Sequence, residues 1–193
     1  MEETPFEEMP LLVATLASAV DHWLDEPFAL FGHSMGAGVA FELTRELRRR
    51  GRPLPQALIV SGARAPQLRA GWTPPPDPTD AELIDYLRRH DGAPPDLLDN
   101  PEALRIALPA LRADIHLFSA YTYAPEPPLP VPITAYAGVS DLSVKPEQIA
   151  AWNAQTSAAF RFHQMPGGHF FLQSAAAEFL RELAADLAAL TPA

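Results

Sequence analysis

The apolar positions of this chain follow two alternating periods. Leu12, Leu16, Val20 and Trp23 are spaced by 4, 4 and 3, which predicts an amphipathic helix over 7–24. Pro27 precedes a short run, Phe28-Ala29-Leu30-Phe31, that ends at Gly32. A run this short and uniformly apolar predicts a buried parallel strand. A helix is expected next, over about 37–50. It carries Ala40, Leu43 and Leu47 on one face and Arg48-Arg49-Arg50 in its last turn, and it stops at Gly51. Ala57-Leu58-Ile59-Val60 predicts a second buried strand.

Residues 64–128 interrupt this alternation. Pro74-Pro75-Pro76 and Pro78 form a stiff connector, and Thr79-Asp80-Ala81-Glu82 is a capping box that opens a short helix. Asn100-Pro101 starts another helix, along which Leu104, Leu108, Leu111, Ile115 and Phe118 repeat at helical spacing. Pro109 lies inside that pattern, so a kink or two abutting helices are expected. After a proline-rich return at 125–132 come a strand from Ile133 to Val139, a helix from Pro146 to about Thr156, a strand from Phe160 to Met165 and a last helix over 173–190. The order αβαβ, helical insertion, βαβα predicts an α/β fold with a mainly parallel sheet and helices on both faces.

Composition mainly excludes. At 193 residues the chain suits one domain, 1–193, with the insertion 64–128 inside it. The 24 acidic residues against 14 basic ones give a net charge of −10, which argues against a broad face for nucleic acid. The absence of cysteine excludes disulfides, a thiol nucleophile and thiolate metal sites. No apolar run is long enough to span a bilayer, and the acidic start is not a signal peptide, so the default location is cytoplasmic.

The chemistry concentrates at Gly32-His33-Ser34-Met35-Gly36, a nucleophile-elbow match between a predicted strand and a predicted helix. A serine on such a turn projects its hydroxyl, and the flanking glycines are expected where neighbouring elements come too close for a side chain. The backbone N–H of Met35 then sits at a helix N-terminus, able to donate to an oxyanion. Of six histidines, only His169 stands in a loop just past the C-terminal end of a strand, where parallel sheets place their sites. His33 reads as packing; His22, His90 and His116 fall in helices and His163 in a strand. Asp141 also follows a strand and lies between Ser34 and His169 in the chain. The order Ser, Asp, His is that of an α/β-hydrolase triad. Taken singly, Ser34 reads equally well as a helix cap, Asp141 as a turn cap and His169 as a local hydrogen-bonding residue.

Pro27-Phe-Ala-Leu-Phe-Gly-His-Ser-Met-Gly-Ala, Ser61-Gly-Ala-Arg-Ala-Pro, Leu111-Arg-Ala-Asp and Gly168-His-Phe-Phe-Leu together resemble the type II (editing) thioesterases of polyketide and nonribosomal peptide assembly lines. The resemblance runs over essentially the whole chain. It implies an α/β-hydrolase fold with 64–128 as a helical lid. It also implies hydrolysis of acyl groups from the phosphopantetheine arm of an acyl or peptidyl carrier protein. Ser34 would be the nucleophile, His169 the base and Asp141 its orienting acid, with no metal or bound cofactor. Arg64 and Arg69 would offer a local docking patch for the acidic carrier, whereas Arg48–Arg50 read as a helix-end complement on a solvated face. The chain departs from the family at its start. A His-Ala-Gly-Gly-like oxyanion segment and roughly 50–60 residues of strand–helix units are absent. The expectation is therefore an N-terminally truncated fold, from a misassigned start or a real truncation, with the 28–31 strand as a bare apolar edge. The closing Thr191-Pro192-Ala193 reads as a natural end. Two alternatives stay open: a hydrolase of small oxoesters, and a non-catalytic fragment. Acyl preference and oligomeric state are not readable.

Overall fold

The structure is a computed structural model and describes residues 5–68, 78–89, 93 and 95–190. Arg69, the prolines 74–76, His90 and the 191–193 terminus lie outside the described residues. In chain order the elements are α1 (Met9–Ala19), β1 (Leu30–His33), α2 (Met35–Arg49), β2 (Leu58–Ser61), α3 (Asp80–Arg89), α4 (Pro95–Leu98), α5 (Pro101–Ala120), β3 (Ile133–Gly138), α6 (Pro146–Ala150), β4 (Phe160–Met165), α7 (Phe171–Ser174) and α8 (Ala176–Ala188). Short 3-10 turns cover Asp21–Trp23, Pro66–Leu68 and Ala151–Gln155.

The four strands pair in sequence order, β1-β2-β3-β4, and every pairing is parallel. Leu30, Leu58, Ile133 and Phe160 stand level across the sheet. The strands therefore start together, and the loops after β1, β3 and β4 leave from one edge. That alignment brings together residues far apart in the chain.

Both faces of the sheet are covered because alternate strand residues point opposite ways. Leu58, Val60, Ile133 and Ala135 pack with Phe41 of α2, Ile149 of α6 and Trp152. On the other face, Ile59 and Tyr136 pack with Met165, Phe171 of α7 and Phe179 of α8. Trp152 is fully buried, and its Nε1 donates to the Ala63 carbonyl at 2.8 Å, so its polar atom is satisfied. The helices between β2 and β3 keep an apolar cluster of their own, built on Leu83, Leu87, Leu98, Leu104 and Leu108. Among the described residues β1 has β2 as its only neighbour, and Phe31 on it is 45% exposed.

Several details differ from the sequence pattern. The first helix buries Met9, Val13 and Ala17 rather than the expected stripe, and Trp23 is 66% exposed. α5 runs as one helix through Pro109, which removes a single backbone donor while Leu104, Leu108 and Leu117 bury both halves. The expected last helix is split at Ala175 into α7 and α8. In α8, Leu180 and Leu187 are exposed while Asp186 is buried. Asp186 accepts from Tyr136 Oη at 2.5 Å and from Arg161 at 3.0 Å, which compensates the burial of its charge.

The arginines at the end of α2 are also more than a solvated face. Glu126, on the return segment to β3, accepts from Arg48 at 2.7 Å and Arg49 at 2.8 Å. Arg48 also donates to the carbonyls of Pro127 and Pro128. Arg45, 3% exposed, reaches Glu42 at 2.6 Å, Glu126 at 2.7 Å and the Ala124 carbonyl at 2.6 Å, over the rings of Phe41 and Tyr123. Burial alone would raise the Glu126 carboxyl, but the bonds from Arg48 and Arg45 outweigh it and push it down to about 2. The run 124–128 is thus clamped to α2, the helix that starts at the elbow. Only Arg50 turns elsewhere, to Glu46 and Ser18.

Candidate active site

The elbow forms because Gly32 permits it. A Cβ on Gly32 would stand 2.1 Å from the Gly36 carbonyl oxygen, so no larger residue fits between β1 and the first turn of α2. Gly36 does not share this restriction: a Cβ there meets nothing within 4 Å among the described residues. The steric reading of the motif therefore holds for its first glycine only. Ser34 takes φ 54° and ψ −119°, and it is the one non-glycine residue with positive φ among the described residues. Such a conformation costs on the order of 1–3 kcal/mol and persists only where the surroundings impose it. Met35 opens α2, so its N–H is one of the first-turn donors without an intrahelical acceptor.

The loops after β3 and β4 are tied together. Val139 N donates to the Met165 carbonyl at 3.0 Å and Ser140 N to that of Gly167 at 2.9 Å. The approach is close enough that a Cβ on Gly138 would fall 2.2 Å from the Gly168 oxygen. As a result Asp141 and His169 meet: His169 Nδ1 lies 2.8 Å from Asp141 Oδ2, with side chains 5% and 0% exposed. The other carboxylate oxygen, Oδ1, accepts from Ser143 N at 2.7 Å, Ser143 Oγ at 2.6 Å and Val144 N at 3.2 Å. Burial raises the Asp141 carboxyl, but the bonds from His169 and Ser143 outweigh it and hold it below its ordinary value. An ionised Asp141 accepts, so Nδ1 carries the ring proton and Nε2 is left with the lone pair. Ser143 Oγ lies 3.1 Å from the same Nδ1.

Ser34, Met35 and His169 line one cavity of about 600 Å³. The hydrogen bonds of His169 run to Asp141 and Ser143, and none joins it to Ser34. Catalytic hydrogen bonds are often long without substrate and tighten when it binds. Helices α3 and α5 wall the cavity with Leu87, Leu111, Ile115 and Phe118. Arg64 also lines it, with Nη2 donating to the Ser143 carbonyl at 3.2 Å. His163 is remote from this cluster; it stacks on Tyr136, its Nε2 3.1 Å from Asp186 but without hydrogen-bond geometry.

The sequence missed two supports. Ser143 bonds the acid in an Asx-type turn, and Asp-x-Ser in a loop was the available signal. His33 packs, as its position suggested, but against the site: its ring centroid is 4.8 Å from that of His169 and its Nδ1 is 3.0 Å from Ser61 Oγ. Burial first and the nearby His169 second lower its pKa from the usual 6.5 to about 4, with Asp141 opposing. Protonation of His33 therefore favours the unfolded chain. Its share of stability is complete above pH 6.5 and is lost as pH falls towards 4, by up to about 3 kcal/mol. His33→Gln is expected to flatten this part of the pH dependence. Urea melts of both proteins at pH 7 and pH 4.5 read the difference directly; parallel losses would remove His33 as the cause.

Comparisons with known proteins identify a family and a fold. A family model described as a thioesterase domain matches residues 1–187. The chain is 38% identical to linear gramicidin dehydrogenase LgrE of Brevibacillus parabrevis over 182 residues, which cover 89% of this chain and 66% of that protein. It is 35% identical to gramicidin S biosynthesis protein GrsT of Aneurinibacillus migulanus over 185 residues, covering 96% of this chain and 72% of the relative. The RedJ thioesterase from the prodiginine biosynthetic pathway of Streptomyces coelicolor superposes with a TM-score of 0.85 at 36% identity, covering 95% of this chain and 73% of the other. The chain thus spans 66% to 73% of the length of these relatives. The fold is that of an α/β-hydrolase. No helix among the described residues is long and apolar enough to cross a membrane.

Proposed function

The chain belongs to the thioesterase family, and from that premise we propose that it hydrolyses acyl groups from the phosphopantetheine arm of an acyl or peptidyl carrier protein, as an editing enzyme of polyketide or nonribosomal peptide synthesis. The observation that carries this reading is the 2.8 Å contact between His169 and the Asp141 oxygen left over by the backbone donors, which take the other one, beside a strained serine elbow. The names of the relatives support the biosynthetic setting, since GrsT and RedJ are proteins of gramicidin S and prodiginine biosynthesis.

The chemistry follows from the atoms in place. Ser34 Oγ attacks the thioester carbonyl while His169 Nε2 takes its proton. Asp141 holds the imidazole in the productive tautomer and stabilises the imidazolium that forms. The Met35 N–H donates to the developing oxyanion. The tetrahedral adduct collapses, the C–S bond breaks, and His169 returns the proton to the departing thiol. Water, deprotonated by the same nitrogen, then adds to the acyl-serine; on collapse the ester bond breaks, His169 returns the proton to Ser34 Oγ and the acid is freed. The apolar walls from α3 and α5 hold the acyl chain.

A pair of substrates with the same acyl group, one a pantetheine thioester and one an oxoester, tests the reading. The expected result is a higher kcat/KM for the thioester, rising further when the arm is carried on a carrier protein. A preference for the oxoester, with no gain from the carrier, would place the chain among small-ester hydrolases instead.

A further inference from the structure

The face of α5 that lines the cavity is apolar except at one position. Leu111, Ile115 and Phe118 are spaced as one helical stripe, and Asp114 stands in the same stripe and lines the same cavity. The placement of the helix is fixed by packing: the Phe118 ring comes within 2.9 Å of where a Cβ on Gly38 would stand, so α5 is seated on α2 just beyond the elbow. Asp114 is accessible, yet burial raises its carboxyl above the ordinary value. Both hold when a side chain lines a cleft that is walled by protein on one side and open to water on the other. Among the described residues Asp114 has no hydrogen bond and no ion pair. Arg64, the one arginine among the described residues of the cavity wall, is bonded to the Ser143 carbonyl instead. His33 is held neutral. The cavity thus contains an acid that neither folding nor the proposed triad uses.

Resting on the thioesterase reading, we infer that Asp114 is a specificity-determining residue that favours acyl groups bearing an ammonium, such as aminoacyl thioesters, over unsubstituted acyl groups of the same length. An unpaired carboxylate in an apolar wall penalises a plain alkyl chain, which desolvates it without replacing its water. An ammonium offers N–H donors and an opposite charge, and charge-assisted bonds of this kind are the strong ones.

The test is the ratio of kcat/KM for alanyl pantetheine thioester to that for propionyl pantetheine thioester, in wild type and Asp114→Asn. Comparing ratios between the two proteins cancels the intrinsic reactivity of the two thioesters. The ratio is expected to fall about tenfold to a hundredfold in Asp114→Asn, and to fall in Asp114→Leu as well, where the apolar stripe becomes continuous. A ratio unchanged within about twofold, even if both rates drop together, would overturn the inference, because a contact to the arm or a structural role affects both substrates alike. A cooperative melt of each variant excludes unfolding as the cause. Hydrolysis of neither thioester by wild type would remove the thioesterase reading and this inference with it; hydrolysis of both with unmoved ratios removes the inference alone.

Discussion

Asp141→Asn is expected to lower kcat for thioester hydrolysis by about 10⁴-fold while leaving the fold intact, and His169→Ala by about 10⁴- to 10⁶-fold. The effect at Asp141 is large because its two oxygens have fixed and different duties. Oδ1 accepts from the backbone N–H groups of Ser143 and Val144, and Oδ2 faces His169. An asparagine there must keep its carbonyl oxygen on the backbone donors, so its NH₂ is the group turned to His169 Nδ1. The ring then accepts at Nδ1 and carries its proton on Nε2, the nitrogen that should take the proton of Ser34. The site keeps its shape and loses its base. Steady-state release of thiol at pH 7, with a melt of each variant, checks both expectations. An Asp141→Asn enzyme within tenfold of wild type would mean that another acid serves His169.

Gly32→Ala is expected to have the largest effect on stability. Its Cβ would overlap the Gly36 carbonyl oxygen at 2.1 Å, a backbone atom in the first turn of α2 that cannot swing aside. Relief requires moving the elbow or the helix, and the cost is about 3–5 kcal/mol, with Tm lower by about 10 °C or more. Gly36→Ala is the natural control, because open space surrounds that position and alanine favours the helix. Denaturant melts of the two variants should separate sharply. Similar midpoints would show that the turn relaxes freely and that its strain is not imposed by packing.

The site was legible where a short motif fixes a backbone event. Gly-x-Ser-x-Gly between an apolar run and a helical stripe located the elbow, and glycine-rich loops after strands located Asp141 and His169. The level start of the four strands then brings those loops to one edge. What the pattern could not give was long-range pairing. Glu126 meets arginines about 78 residues away, and Asp186 is buried on α8 because Tyr136 and Arg161 meet it from the sheet. Neither pairing leaves a periodic trace. The stripe of α1 was misplaced for a related reason: Leu12, Leu16 and Val20 sit at the margin of a face centred on Val13 and Ala17, and small residues at the closest helix contact carry little hydropathy signal. The second glycine of the elbow is a correction of another kind, since the motif is matched there without the crowding usually invoked for it.

The proposed chemistry requires Ser34 to be an activated nucleophile. Intact-mass measurement after treatment with a fluorophosphonate, on wild type and Ser34→Ala side by side, asks this without any assumption about acyl preference. One adduct is expected on wild type and none on Ser34→Ala. No adduct on a wild-type protein that melts cooperatively, or an adduct that persists in Ser34→Ala, would contradict it.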